Sequence, residues 1–209
     1  MTEPARKRAT YQDILDAPRT KVAEIINGVL YVSPRPALPH ATVSMSLSSE
    51  LVNPFQRGRG GPGGWVFMFE PELAIGEDTL VPDLAGWRSE RLPVVADVPS
   101  IDLPPDWLCE VASPSTEKLD RTEKLAIYAG HGVKHVWLVS ARRRSLEVFR
   151  LQGEHWLLVG VHRDEAKIHA EPFEAVELDL GVLWANLGPA RPFRASEPGA
   201  PYAAADDGA

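Results

Sequence analysis

The sequence holds one cysteine, Cys109, in 209 residues. A lone thiol closes no internal disulfide, so the chain is not a disulfide-stapled scaffold. No apolar run approaches the roughly 18 residues that a spanning helix needs. Bases are the minority among charged residues, 22 against 29 acids, for a net charge of −7. That balance counts against a protein that coats nucleic acid by charge alone, and leaves room only for a local basic groove. The first ten residues are charged but lack the apolar stretch of a secretory signal, so the chain reads as cytoplasmic, with no membrane partner. The glycine-rich stretch Gly58 to Gly64 is not followed by Lys-Ser/Thr and is no P-loop. The six histidines show no zinc-ligand spacing with cysteine.

What is present is an ordinary globular composition, 44% hydrophobic and 24% charged. The length suits one domain with an appendage. The domain is expected over 1–188, and the Ala-, Pro- and Gly-rich 189–209 reads as a disordered tail. A short helix is expected over 11–18. Apolar runs on both sides of Asn27-Gly28 predict a β-hairpin. His40 to Phe55 shows helical spacing, with Val43, Leu47, Leu51 and Val52 on one face. Strands are expected over 65–75, 80–87, 107–112 and 136–139, and a second hairpin joins 145–151 to 155–161. Asp120 to Ala129 reads as a helix with Asp120 as N-cap and Glu123 three residues on. A last short helix is expected over 182–187. The order predicts an α/β (α+β) fold, a mixed β-sheet flanked by helices with an N-terminal hairpin.

Three acids stand where strands want apolar side chains: Glu24 in the hairpin, Asp83 after Val81-Pro82, and Glu110 within Trp107-Leu108-Cys109-Glu110-Val111-Ala112. Taken singly, each has an ordinary reading, as an edge-strand or turn acid facing water. Taken together they describe converging carboxylates, which repel and are costly to bury without a cation. A hard divalent ion such as Mg²⁺ or Mn²⁺ offsets both costs with oxygen ligands. Lys124 and Tyr128 lie four residues apart and share a helix face with Asp120. Cys109 neighbours Glu110 on one strand, so its side chain points to the opposite face, as a core thiol. Arg142-Arg143-Arg144 reads as a solvated turn between strands that is able to touch phosphates.

Val81-Pro82-Asp83, Glu110-Val111-Ala112-Ser113-Pro114-Ser115-Thr116, the spacing Asp120, Lys124, Tyr128, Gly132-Val133, and Trp137-Leu138-Val139 together resemble the Uma-two family. Glu24-Ile25-Ile26-Asn27-Gly28-Val29-Leu30 and the proline-rich step into His40 match it as well, and the likeness covers roughly 10–185. The resemblance implies the restriction-endonuclease-like PD-(D/E)XK fold and a Mg²⁺- or Mn²⁺-dependent phosphodiesterase, a DNA endonuclease by preference. It implies that Asp83 and Glu110 bind the metal, with the Val111 carbonyl and Glu24 as further ligands. The lysine that usually closes the second half-motif is replaced by Ala112, and Lys124 on the following helix takes its place. His40, Ser113 and Tyr128 match family positions and take supporting roles. Val136 before Trp137 and Ser140 after the strand depart from the pattern without touching the ligand set. Two rival readings stay open, a non-catalytic binding module and a hydrolase of small phosphoesters. A groove lined by Arg57, Arg59, Arg88 or Arg91 would favour a nuclease, and an acidic, closed surface would favour a protein partner. A homodimer fits an enzyme that cuts both strands, although nothing in the sequence fixes the oligomeric state.

Overall fold

The computed structural model describes residues 8–113 and 116–188. Pro114 and Ser115 of the Ser-Pro-Ser-Thr step, and the tail expected over 189–209, lie outside the described residues. The expected mixed α+β architecture is the one observed.

Helix α1 (Tyr11–Leu15) leads into the hairpin β1 (Lys21–Ile26) and β2 (Val29–Pro34). Its turn places Asn27 at φ 52° and Gly28 at φ 74°, the left-handed pair that matches strand twist. Helix α2 (Leu38–Leu51) runs on into a π-helical turn at Val52–Gln56. The single strand expected over 65–75 is two, β3 (Trp65–Phe69) and β4 (Leu73–Ile75), in different sheets. Glu70 at φ 45° and Pro71 break it. The strand expected over 80–87 is likewise divided into β5 (Asp78–Leu80) and β6 (Leu84–Arg88). Proline cannot donate to a ladder, so Val81-Pro82-Asp83 forms the crossing between sheets.

Strand β7 (Trp107–Val111) is followed by α3 (Glu117–Leu119), a π-helical turn (Asp120–Lys124) and α4 (Leu125–Gly130). Asp120 is not the expected N-cap. It lies inside the helical run at φ −59° and ψ −42° and is buried, and the run begins after Thr116. Then come β8 (His135–Ser140), β9 (Ser145–Gln152), β10 (His155–Arg163), β11 (Lys167–Ile168), β12 (Leu178–Asp179) and α5 (Gly181–Trp184). No helix among the described residues is long and apolar enough to cross a membrane.

One sheet has four strands in the order β2-β1-β5-β4, and the other has six in the order β10-β9-β8-β7-β6-β3. In the larger sheet only β7 and β8 run parallel, and the helical segment between them is the crossover such a pair requires. All five residues of β7 are buried, and they alternate between two cores. Trp107, Cys109 and Val111 join α2, Trp137 and Phe173 on one face. Leu108 joins Ile26, Leu125 and Tyr128 on the other. Glu110 points to that second face, opposite Cys109, as the alternation predicts.

The crossover is tied to the sheet by Arg121, whose Nη1 and Nη2 reach the Glu147 carboxylate at 2.8 and 2.6 Å. Hydrogen bonding from Arg121, which outweighs the opposing effect of burial, holds the Glu147 carboxyl below its ordinary 4.5. A depressed acid contributes stability above its unfolded value and loses it as the pH falls through the folded one. Wild type is therefore expected to melt above Glu147→Gln at pH 7. The gap narrows once the pH drops below 4.5. Thermal scans across that range check it, and a gap independent of pH would remove the ion pair as its cause.

Candidate functional site

The site forms where the two sheets meet under the crossover helix. β1 brings Glu24 from the smaller sheet, and β7 brings Glu110 from the larger. Lys124 descends from the π-helical turn between them. Its Nζ lies 2.8 Å from Glu110 Oε1, 3.0 Å from Glu24 Oε1 and 3.5 Å from Asp120 Oδ1. The π-helical turn widens the local spiral, a feature common at functional sites, and turns both Asp120 and Lys124 inward. Tyr128, one turn on, donates its hydroxyl to Glu110 Oε1 at 2.6 Å. Glu24 Oε1 also accepts the Val81 N–H at 2.8 Å, which fixes the strand crossing before Asp83.

Asp83 closes the cluster from the other side. Its Oδ2 accepts the Val111 N–H at 2.6 Å, and its Oδ1 lies 3.1 Å from His40 Nε2. His40 stands near the start of α2, and Ser44 one turn later donates its hydroxyl to the His40 carbonyl at 3.0 Å. Ser113 lies just past β7, with its Oγ 2.9 Å from the Thr116 Oγ1. Glu24, His40, Asp83, Glu110, Asp120, Lys124 and Tyr128 are all buried, Lys124 to 2% exposure. The ordinary readings of Glu24, Asp83 and Glu110 as solvent-facing acids are thereby excluded.

Burial dominates the electrostatics. It raises the Glu110 carboxyl well above its ordinary range; Lys124 pulls it back, and Asp120, Asp83 and Glu24 push it up again. Asp120 is also raised, by burial first, against the pull of Lys124. Burial alone would lower the Lys124 ammonium, but Glu110, Tyr128, Glu24 and Asp120 together hold it well above its normal value. Tyr128 is raised by burial and by Glu110, so it remains a proton donor. The cluster thus sets four carboxylates against one ammonium and one imidazole.

A hard cation fits the carboxylate oxygens of Asp83, Glu24, Glu110 and Asp120 in chemistry, because such ions prefer oxygen ligands. Among the described residues, no three His, Cys, Asp or Glu side chains are placed to hold a metal ion together. The fit is therefore of the kind Mg²⁺ accepts, one or two carboxylates with water completing the shell. Asp120 is the residue that sequence reasoning left outside the candidate list. Its place one turn before Lys124 was the available signal.

The arginine groove looked for at Arg57, Arg59, Arg88 and Arg91 does not line this site. Arg88 caps the Trp65 ring at 4.2 Å, and Arg91 Nη1 is bound to Asp106 Oδ1 at 2.7 Å. Arg88 ends β6 and Arg91 follows it, so both lie about 16 Å or more of strand from Asp83. Arg57 and Arg59 follow the far end of α2 from His40, about 20 Å of helix away.

A family model described as "Uma2: Putative restriction endonuclease" matches residues 8–182. Among solved structures, the chain is similar to a crystal structure titled as a putative nuclease belonging to DUF820 from Anabaena variabilis. The TM-score is 0.68 at 21% identity, covering 85% of this chain and 98% of that one. That likeness speaks to the fold. No curated protein matches the chain.

Removing the ammonium alone leaves buried like charges facing one another. Lys124→Met is expected to cost about 3–5 kcal/mol, as for other buried pairs broken on one side. Glu110→Gln removes a buried charge while keeping an oxygen for Tyr128, so it is expected to match or exceed wild-type stability. The double variant recovers part of the Lys124→Met loss. Urea denaturation of the four proteins measures this, and a double variant no better than Lys124→Met would disprove the coupling.

Proposed function

The chain belongs to the Uma2 family, and we propose that it is a divalent-metal-dependent phosphodiesterase acting on nucleic acid, DNA by preference. The observation that carries this reading is the buried excess of carboxyl groups, with Glu110, Glu24 and Asp120 around one lysine and Asp83 beside them against His40. Buried charge of one sign in such excess is expensive to maintain and marks a site waiting for a cation.

In this reading Asp83 and Glu110 hold Mg²⁺ or Mn²⁺, with the Val111 carbonyl as the backbone ligand. Glu24 takes the outer position, because its Oε1 is already shared between Lys124 and Val81. The ion, when bound, lowers the pKa of water and polarises a phosphate oxygen. This chain's own groups do the rest. His40 and the Val111 N–H each hold one oxygen of Asp83, fixing how that carboxylate presents itself. Tyr128 does the same for Glu110. Lys124 draws the Glu110 carboxyl back towards its charged form against the effect of burial, and brings a positive charge to the place where a phosphorane-like transition state gains negative charge. Ser113, beside the carboxyl end of β7, lies near enough to line the approach to that end.

Two variants test the assignment. Asp83→Asn and Glu110→Gln are expected to abolish Mg²⁺-dependent cleavage of plasmid and oligonucleotide substrates while keeping wild-type circular dichroism. Mn²⁺ affinity by calorimetry should fall by more than the roughly 10–100-fold that loss of an outer partner costs, and His40→Gln should fall within that range. Undiminished cleavage by either carboxylate variant would overturn the reading. A protein that binds Mn²⁺ at these residues but cleaves only small phosphodiesters would replace the nucleic-acid substrate by the smaller one.

A further inference from the structure

The run Arg142-Arg143-Arg144 is not used by the site just described, and the fold gives it neighbours that the sequence does not. β8 ends at Ser140 and β9 begins at Ser145, so the three arginines form the turn between them. In the ladder Ser140 pairs with Ser145, and Ser145 pairs with Arg163 at the end of β10. Val111, at the end of β7, pairs with Val139 one step away. Asp83, immediately before β6, accepts the Val111 N–H. All these residues therefore lie along one rim of the six-stranded sheet, at the carboxyl ends of its parallel pair. Bound ligands gather at that end of parallel strands.

The rim has opposite charge at its two ends. Asp83, Glu110 and Asp120 sit at the β6–β7 end, and Arg142, Arg143, Arg144 and Arg163 sit at the β8–β10 end. The two are separated by about 14 Å, three strand spacings. The intervening acids are engaged. Glu147 is clasped by Arg121, and Glu117 is paired with both Arg121 and Arg143. The Asp164 N–H bonds the Arg144 carbonyl, which places one further acid beside the turn. Arg142, Arg144 and Arg163 are exposed and make no side-chain hydrogen bond or close ion pair among the described residues, although Arg163 lies near enough to Glu147 to favour its charged form. Unpaired guanidinium groups are donors in a fixed fork, suited to phosphate oxygens.

We infer that this arginine rim binds the phosphate backbone of the nucleic-acid strand that the carboxylate cluster acts on. It provides a local cation track in a chain of net charge −7. The inference rests on the nucleic-acid reading of the site. Phosphate contact explains the placement on the same rim as the carboxylates, whereas an acidic protein partner would have no reason to lie there.

The experiment compares duplex-oligonucleotide binding by fluorescence anisotropy, in divalent-free buffer over a salt series, for three proteins. These are wild type, the rim variant Arg142→Gln/Arg144→Asn/Arg163→Gln, and the far-end control Arg57→Gln/Arg59→Gln. All substituted side chains are exposed, and asparagine suits the left-handed backbone of Arg144 at φ 45°. Wild type and the control are expected to bind alike. The rim variant is expected to bind at least tenfold more weakly, with the salt slope reduced by about 2.7, near 0.9 for each of the three lost phosphate contacts. Its Mn²⁺ affinity should be unchanged, which separates lost docking from lost folding. Equal affinity and slope in the rim variant and wild type would overturn the inference while leaving the proposed activity standing. Competition by polyglutamate as effective as by DNA would overturn it in favour of an acidic protein partner. A wild type that binds no nucleic acid would overturn both this inference and the nucleic-acid substrate.

Discussion

The structure depends on one ammonium group. Lys124 is buried in contact with Glu24 of the smaller sheet, Glu110 of the larger and Asp120 of its own helix. Each carboxylate alone would be costly to place there, and the three together would repel. The single positive charge permits their approach, and in doing so it pins the crossover helix to both sheets at once. Tyr128 and the Val81 N–H supply the remaining hydrogen bonds that so dry a cluster requires. The same lysine is thus a structural clasp between both sheets and the crossover helix.

That clasp leaves a charge deficit, and the deficit has a direction. Lys124 faces Glu110, Glu24 and Asp120, while Asp83 is held separately by His40 and the Val111 N–H. The residual negative charge therefore collects between β6 and β7, at the carboxyl end of the parallel pair. Along the same rim the sign reverses at Arg142 to Arg144 and Arg163. The sheet's ladder alone joins these arginines, whose positions in the chain are some 20 residues apart. A net acidic chain in this way carries a buried acidic cluster and an exposed arginine run on one rim.

Much of the fold follows from short-range chemistry. Asn27-Gly28 carries a hairpin because those residues tolerate the left-handed backbone its turn needs. The alternation of β7 places Cys109 and Glu110 on opposite faces, as period-two geometry requires. Less legible were the interruptions. Trp65 to Ile75 has the composition of one strand, and nothing local says that its halves belong to different sheets. Asp120 followed by Glu123 has the pattern of a helix start, yet the helix begins earlier, after Thr116, and Asp120 is drawn inward by Lys124. Tertiary charge pairing overrode the capping preference.

The sequence by itself determined which residue types carry the chemistry: acids in apolar strands, a lysine and a tyrosine one helical turn apart, and a hairpin and helices to hold them. These follow from backbone preference and from the cost of polar groups in apolar surroundings, both of which act over a few residues. Only the tertiary structure decided that Glu24, 86 residues before Glu110 in the chain, meets the same ammonium. It alone decided that Asp120 joins them, that Arg88 and Arg91 serve Trp65 and Asp106 instead of the site, and that Arg163 stands beside Arg142 to Arg144. Strand order and register set those distances, and they depend on contacts between segments far apart in the chain.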